Sequence, residues 1–268
     1  MPLLEKINKK QLIWGIAILA SILIAVTVIW LVARNRPAPA TPPPETTEPT
    51  TEAQFALDEK GYMTGLNAEY AVGIDVSQFQ GTIDWSLVKS AGIEFVFIRI
   101  GGRGTSEGTL YADTAAAEYY EGAKAAGLQV GAYFYSQAIS AEEAEEEARY
   151  VLEQIVGWEL ELPLMFDWEW VSHDARTANV DRSTLTEATL AFCNMIETAG
   201  YEPGIYFNTH QGLHLLDMDK LQGYKLWLAR YDMFPDFPHQ VDFWQYSCTG
   251  QISGIEGDVD MNLMLYIP

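Results

Sequence analysis

The stretch LMFDWEW, residues 164–170, is a short apolar run with two acids in its second half, Asp167 and Glu169. Apolar runs of this length, when turn signals bound them, are typical of strands buried on both faces of a parallel sheet. Side chains two positions apart on a strand share a face, so Asp167 and Glu169 are predicted to point the same way. Such a strand needs neighbouring strands and covering helices, and the rest of the sequence supplies both.

Seven further short apolar runs occur from residue 71 onward. They are AVGIDV (71–76), EFVFIRI (94–100), LQVGAYFY (128–135), EPGIYFN (202–208), KLWLAR (225–230), VDFWQYS (241–247) and DVDMNLM (258–264). Alternation of strands and helices favours a largely parallel sheet. About eight strands in roughly 200 residues favour a closed barrel over an open doubly wound sheet. The predicted fold is therefore α/β, a modified (β/α) TIM-like barrel.

Helical patterns separate several of these runs. Two of the helices open with the capping sequences SAEE (140–143) and TLTE (184–187). Three end at Gly92, Gly127 and Gly200, where glycine suits the left-handed position after a helix. These local signals place helices between strands, as a barrel requires.

The N-terminal part differs from the rest of the chain, because residues 12–33 form a run of 22 residues without a charge. At about 1.5 Å per residue, a helix of this length spans a bilayer core. We interpret residues 1–11 as a short cytoplasmic N-terminus and 12–33 as a single transmembrane signal anchor, with the remainder outside the cell. A cleaved signal peptide is the alternative, since Ala38-Pro39-Ala40 resembles a small-residue cleavage site.

Residues 34–68 are predicted to be an extracellular Pro/Thr/Glu-rich linker, and residues 69–268 the barrel domain. The segment from residue 37 to residue 54, PAPATPPPETTEPTTEAQ, contains six of the twelve prolines of the chain and almost nothing that could form a core. The linker is therefore expected to be an extended tether.

Charge excludes one class of partner. Of the 16 Lys/Arg residues, five lie in the first 36 residues, so the outer part has 11 against 36 of the 37 acids and a net charge of −25. Nucleic acid is not an expected partner. The two cysteines, Cys193 and Cys248, do not form a disulfide framework, although pairing between them stays open. We expect a monomer.

The acids of residues 164–170 have two further counterparts. Asp75 ends the first run, and Asp260 lies in the last one. Closing a barrel would bring both toward Asp167 and Glu169 at the C-terminal ends of the strands. Buried acids are costly unless they are paired or protonated, and coupled carboxyls provide a proton donor and an anion. This favours glycosidic bond cleavage, while a structural pair that caps a helix or binds an arginine is the alternative.

Aromatic side chains accompany the acids in the strands. Their apolar faces pack against sugar rings and their polar edges form hydrogen bonds, although core packing is the alternative for each one. The candidates for substrate binding are Tyr133, Tyr135, Tyr206, Trp227, Trp244 and Tyr246.

Other chemistries lack a signature. His210 and His214 are four residues apart, but Gln211 occupies the position where a zinc-protease helix has glutamate. No GxSxG sequence occurs. Residues 101–104, GGRG, match no dinucleotide fingerprint or P-loop and are predicted to be a flexible loop at the barrel mouth. No cofactor and no metal are expected.

The ordered set of motifs resembles one known family. The motifs are GIDVSQFQGTIDW, FVFIRIG, GAKAAGLQVGAYFYS, PLMFDWEW, GYEPGIYFN, LWLARY, FWQYS and VDMN, between residues 73 and 262. Together they are similar to glycoside hydrolase family 25, the Chalaropsis-type lysozymes. The resemblance implies a modified barrel that cleaves the β-1,4 bond between N-acetylmuramic acid and N-acetylglucosamine in bacterial peptidoglycan.

The resemblance also assigns roles to the four acids. Glu169 would be the general acid, Asp167 its anionic partner, and Asp75 and Asp260 would complete the acidic floor. Asp167 would either attack directly or orient the N-acetyl group of the substrate as the nucleophile. The membrane helix and the tether favour local cell-wall remodelling. The alternatives are a non-catalytic peptidoglycan-binding module and a hydrolase of another N-acetylglucosamine polymer, such as chitin.

Overall fold

The computed structural model describes residues 54–67, 69–232 and 234–266. Their strands, in chain order, are β1 (Phe55–Leu57), β2 (Met63–Gly65), β3 (Glu69–Val76), β4 (Phe95–Arg103), β5 (Leu110–Ala112), β6 (Gln129–Ser136), β7 (Leu164–Trp168), β8 (Pro203–Asn208), β9 (Lys225–Ala229), β10 (Phe243–Gly250) and β11 (Val259–Tyr266). The eight apolar runs of the sequence correspond to eight of these strands, and β1, β2 and β5 were not predicted.

The eight predicted strands close into a barrel. Its circular order is β3, β4, β6, β7, β8, β9, β10 and β11, which returns to β3. Neighbours from β3 through to β10 are parallel. The last strand, β11, is antiparallel to both β10 and β3. The prediction of an α/β barrel is confirmed, and the reversed last strand is one way in which it departs from a regular (β/α) barrel.

Within the described residues, four α-helices cover the outside of the barrel: α1 (Trp85–Ser90), α2 (Ala116–Ala125), α3 (Ala141–Gln154) and α4 (Arg182–Thr198). The three glycines predicted to end helices have the expected positive φ angles, from 73° to 104°. The capping prediction for α3 is confirmed in part, since Ser140 Oγ accepts from the Glu143 N–H at 3.3 Å. The predicted start of α4 was wrong, because Asp181 and not Thr184 caps it.

The barrel lumen has its own apolar core, separate from the larger core between sheet and helices. Residues that fill it include Phe95, Phe97, Met165, Trp227 and Phe243. Glycines on the neighbouring strands make room for them: a Cβ on Gly73 would lie 2.4 Å from the Phe95 ring, and one on Gly131 2.3 Å from the Phe97 ring. The filled section lies toward the N-terminal ends of the parallel strands, which leaves the C-terminal end of the lumen open to a ligand.

The hairpin of β1 and β2 lies within the segment that was predicted to be a linker. Residues 55–65 pair as antiparallel strands, with Phe55 opposite Gly65. The Phe55 ring packs edge-on against Trp244 of β10 with centroids 5.2 Å apart, and Met63 is buried. Phe55 and Met63 cover apolar surface of the barrel, so strands that pack on the barrel begin before residue 69, while the boundary at residue 68 stays a prediction.

The prediction of a flexible loop at residues 101–104 was wrong for residues 101–103. Gly101, Gly102 and Arg103 belong to β4 and are buried. They pair with β5, and a Cβ on Gly101 would lie 2.2 Å from the Tyr111 carbonyl oxygen. Glycine is therefore needed here for close approach of two backbones, because a side chain would separate the strands.

Two further predictions concern the N-terminal region and the cysteines. No helix within the described residues is long and apolar enough to span a membrane. The predicted span at 12–33 and the segment 1–11 lie outside the described residues. Cys193, buried in α4, and Cys248, exposed on β10, are both free thiols.

Candidate active site

A cavity of about 300 Å³ opens at the C-terminal ends of the parallel strands. It is lined by Asp75, Ser77, Phe79, Gln80, Arg99, Tyr133, Tyr135, Asp167, Glu169, Tyr206, Trp227, Tyr231, Gln245 and Asp260. All four acids that the sequence singled out are among these residues. Most of the other lining side chains are aromatic, amide or hydroxyl groups, which suit an uncharged, hydroxyl-rich ligand.

The four acids reach the cavity from three strands. Asp75 is the penultimate residue of β3 and Asp167 the penultimate residue of β7, while Glu169 follows directly after β7. Asp260 lies near the start of β11, not at its end, and pairs with Asp75 across the antiparallel register. The sequence prediction had placed Asp260 correctly but assumed a strand C-terminus, and the reversal of β11 accounts for the difference.

Asp75 is held by a network of amide and aromatic side chains. Its Oδ2 accepts from Gln245 Nε2 at 2.9 Å and from Asn262 Nδ2 at 2.8 Å. The Oδ1 of Asn262 accepts from Trp227 Nε1 at 2.8 Å. The Oε1 of Gln245 accepts from the hydroxyls of Tyr206 and Tyr231, each at 2.9 Å. The oxygen of each amide is thus engaged by a donor, so its NH₂ group faces Asp75.

Asp167 lies deeper than Glu169 and has an unpaired oxygen. Its side chain is buried, and among the described residues nothing donates a hydrogen bond to its Oδ1. Burial raises the pKa of Asp167 well above its usual range, and the nearby Glu169 raises it further, while Arg99 opposes the shift. Arg99 is itself held by Asp113, with Nε to Oδ2 at 2.8 Å. A buried acceptor without a partner at an open cavity is suited to contact a substrate.

The backbone around Glu169 is fixed by two buried amides. Gln137 Nε2 donates to the Glu169 carbonyl at 2.7 Å, and Gln211 Nε2 donates to the Trp168 carbonyl at 2.5 Å. Gln137 is in turn contacted by Thr177 Oγ1, which donates to its Oε1 at 3.3 Å. The chain has left the β7 ladder at this point, so these side chains replace strand partners and set the direction of the Glu169 side chain.

The four carboxyls resist simultaneous ionisation. Burial raises the pKa of Asp75 well above its usual range, and the adjacent Asp260 raises it further. Burial raises the pKa of Asp260 to about 6. The pKa of Glu169 is also raised, by burial and by the charge of Asp260. Coupled acids of this kind lose their protons in steps that belong to the group, which favours a mixture of protonated and ionised carboxyls over four anions.

Four of the six predicted aromatic residues line the cavity, and two do not. Tyr133, Tyr135, Tyr206 and Trp227 are in its wall. The other two, Trp244 and Tyr246, lie on the outward face of β10, where Trp244 is fully buried against Phe55. They do not line this cavity, because Gln245 between them takes the lumen-facing position and strand side chains alternate, and their role in substrate binding stays a prediction.

Sequence reasoning missed several residues of the site. Asn262 is two positions from Asp260, and Arg99 shares the strand face of Phe95 and Phe97, so alternation could have found both. Gln245 could have been found in the same way from Phe243, which fills the lumen. Tyr231 lies outside the strands, and no local pattern indicates that its hydroxyl reaches Gln245.

Comparison with known proteins adds independent information. The sequence profile of glycosyl hydrolases family 25 matches residues 74–255. The chain is 29% identical over 194 residues to the autolytic lysozyme of Clostridium acetobutylicum, which covers 71% of this chain and 54% of that protein. It is 27% identical over 286 residues to lysozyme M1 of Streptomyces globisporus, covering 98% of this chain and 94% of the relative.

Solved structures show the same fold. The bacterial lysozyme of Streptomyces coelicolor has a TM-score of 0.61 and 28% identity, and the match covers 72% of this chain and 90% of that one. The autolysin LytC of Streptococcus pneumoniae, solved with a synthetic peptidoglycan ligand, has a TM-score of 0.67 and 22% identity, with 80% and 52% covered. The chain thus spans about half the length of LytC and of the Clostridium lysozyme.

Proposed function

The chain belongs to glycosyl hydrolase family 25, and on that premise we propose that it is a peptidoglycan hydrolase, an N-acetylmuramidase. Its substrate is the peptidoglycan glycan strand, and it cleaves the β-1,4 bond between N-acetylmuramic acid and N-acetylglucosamine. The observation that carries the proposal is the set of four coupled carboxyls, Asp75, Asp167, Glu169 and Asp260, around one cavity. Two relatives with matching sequence over most of this domain are named lysozymes, which supports the same substrate.

Glu169 is the general acid in this proposal. It is less buried than Asp167 and sits where the cavity opens, so a glycosidic oxygen can approach it. Its raised pKa keeps a proton on the carboxyl at a pH where an exposed glutamate would have lost it. The proton passes to the leaving oxygen as the glycosidic bond breaks and positive charge develops on the sugar ring.

Asp167 is the anionic partner in this proposal. Burial opposes its ionisation, but Arg99 favours the carboxylate, and the positive charge that develops on the sugar favours it further. The unpaired Oδ1 of Asp167 is available either to the anomeric carbon or to the N–H of the substrate acetamido group. Direct attack would produce a covalent glycosyl-enzyme that a fluorinated sugar traps on Asp167. Assistance by the acetamido group would instead make a thiazoline analogue of the cyclic intermediate a tight inhibitor. These two experiments distinguish the routes.

Reducing-end analysis tests the bond assignment. The full chain, purified in mild detergent, is incubated with peptidoglycan, and the new ends are reduced with borohydride. We expect muramitol, because a muramidase leaves N-acetylmuramic acid at the new reducing end. Glucosaminitol would contradict the bond assignment, binding without products would favour a non-catalytic module, and equal turnover of chitin would contradict the substrate.

We propose that the enzyme lies at the outer face of the cell membrane, anchored by residues 12–33. The uncharged run of 22 residues and the proline-rich segment that follows support this arrangement. A protease added to intact cells should then remove the barrel domain, while the cytoplasmic N-terminus stays protected. Recovery of the protein from the culture medium, shortened at its N-terminus, would contradict the anchor and favour a cleaved signal peptide.

A further inference from the structure

Phe79 is a large apolar side chain that remains exposed beside the acidic cavity. Its exposed fraction is 78%, and it belongs to the lining of the cavity. It lies in a single 3₁₀ turn, Gln78–Gln80, that directly follows the end of β3 and Ser77. Exposed apolar side chains are common on proteins and need no explanation by themselves. Phe79 differs because hydrogen bonds and a buried cation hold its turn and its ring in place.

The turn that presents Phe79 is held rigidly. The Ser77 N–H donates to Gln80 Oε1 at 2.8 Å, which closes a capping box. The Gln78 N–H donates to both carboxylate oxygens of Asp113 at 3.1 Å, and Thr114 Oγ1 donates to Gln78 Oε1 at 2.9 Å. These bonds come from both sides of Phe79, so the ring is held in place at the mouth and does not collapse into the cavity.

The inner face of the Phe79 ring lies on a buried cation. The Arg99 guanidinium carbon is 4.9 Å from the ring centroid, within cation–π range. Arg99 is only 8% exposed and is paired with Asp113, whose carboxylate also holds the turn. One face of the ring is thus occupied, which leaves the other face open to solvent at the cavity edge.

We propose that Phe79 is a platform for the apolar face of an N-acetylhexosamine ring of the glycan strand, next to the bond that is cleaved. Pyranose rings present flat C–H faces that pack on aromatic rings, and a fixed ring loses little conformational entropy on binding. A neutral sugar also suits a domain of strongly negative charge better than an anionic partner would. The inference rests on the proposed function, because it places a second sugar on the same substrate.

A purely structural role would be to shield the Arg99–Asp113 ion pair from water. The two roles make different demands on residue 79. Shielding requires bulk, which leucine supplies, whereas stacking requires a flat ring, which tyrosine supplies. Loss of shielding would let water weaken the interaction between the Arg99 charge and Asp167. That would change kcat and its pH dependence.

Three substitutions in the full chain test the platform: Phe79→Ala, Phe79→Leu and Phe79→Tyr. Hydrolysis of peptidoglycan glycan chains is followed over a range of pH. Each substitution is also made in the inactive Glu169→Gln background. Calorimetry then measures the Kd of each of these inactive proteins for a purified glycan oligosaccharide. We expect Phe79→Ala and Phe79→Leu to raise KM and Kd about tenfold with the pH profile unchanged, and Phe79→Tyr to stay within about threefold of the parent. Val156→Ala, at an exposed apolar residue outside the cavity, is the control.

Three results would overturn the platform. They are an unchanged Kd in the Phe79→Ala protein, recovery of binding by leucine as well as by tyrosine, or a loss of kcat with a displaced pH profile and no change in KM. Failure of the proposed function is distinguishable from these. If the wild-type chain released no reducing ends but Phe79→Ala still weakened glycan binding, the muramidase proposal would fail and the platform would stand.

Discussion

Asp75 on β3 and Asp260 on β11 lie directly opposite each other in an antiparallel register. Because β11 runs against the other barrel strands, a residue near its start reaches the same rim as a residue near the end of β3. Burial raises the pKa of both carboxyls; the charge of Asp260 raises the pKa of Asp75 further, whereas the hydrogen bond with Asp75 lowers that of Asp260. The reversed strand therefore contributes directly to the chemistry of the cavity, in addition to closing the barrel.

The first prediction concerns Asp260→Asn and the pH dependence of stability. Asp260 has a pKa of about 6 in the folded protein, above its unfolded value of about 3.9. An acid with a raised pKa costs stability as pH rises through the folded pKa. We expect the asparagine variant to be more stable than wild type by about 1–3 kcal/mol at about pH 8, with the gain vanishing toward about pH 4.

Thermal unfolding at several pH values measures this gain. The corresponding change at an exposed acid far from the cavity, Asp219→Asn, should leave stability nearly constant over the same pH range. A stability difference between Asp260→Asn and wild type that does not depend on pH would contradict the raised pKa of Asp260.

The second prediction concerns Glu169→Gln. Glutamine keeps the shape of the side chain but cannot donate a proton from a carboxyl group, so kcat should fall by about 10²–10⁴-fold while the unfolding temperature is maintained. Peptidoglycan turnover and thermal unfolding are measured together. Glu153→Gln, on the exposed surface of α3, is the matched control. Turnover within about threefold of wild type would exclude Glu169 as the general acid.

The third prediction concerns Gln137→Met. Methionine fills the buried site but cannot donate to the Glu169 carbonyl, so the acid should lose its fixed direction. We expect kcat to fall about tenfold. A Glu169 carboxyl that moves away from Asp260 has a less raised pKa, so the alkaline limb of the rate profile should move to lower pH. Gln154→Met, on the exposed end of α3, is the control.

The pH profile separates positioning from structure in the Gln137 experiment. Loss of a buried hydrogen bond alone would lower the unfolding temperature without moving the alkaline limb. An unchanged profile would therefore mean that Gln137 supports the fold and does not position Glu169.

The fourth prediction concerns a buried ion pair on the outer side of the barrel. Arg103 Nε donates to Glu147 Oε1 at 2.7 Å, and both side chains are buried. Burial already raises the pKa of Glu147 to about 7. Arg103→Met should destabilise the protein by about 3–5 kcal/mol, because it leaves an uncompensated buried acid. The loss should be larger at about pH 8 than at about pH 6, where Glu147 can take up a proton.

A second substitution tests the cause of that loss. Glu147→Gln in the Arg103→Met background removes the buried charge and should recover part of the stability at high pH. If the double variant is as unstable as Arg103→Met at every pH, the loss reflects packing and not the unpaired carboxylate.

The local pattern of the sequence was sufficient to predict the eight strands that form the barrel. Alternating apolar runs and helical segments predicted eight barrel strands within a few residues of their observed ends, because burial on both faces produces continuous apolar runs. Local patterns were insufficient for β1, β2 and β5, each of which has only three residues. Strands this short carry no readable period, and they depend on partners elsewhere in the chain.

The sequence by itself determined that acids stand at the strand ends, since alternation on a strand places Asp167 and Glu169 on one face. Only the tertiary structure decided that β11 reverses, that Trp244 and Tyr246 turn outward, and that Gln245 and Asn262 orient Asp75. The physical reason is the range of the interactions. Periodicity arises from neighbours two to four positions apart, whereas strand direction and side-chain pairing are set by contacts up to 187 residues apart.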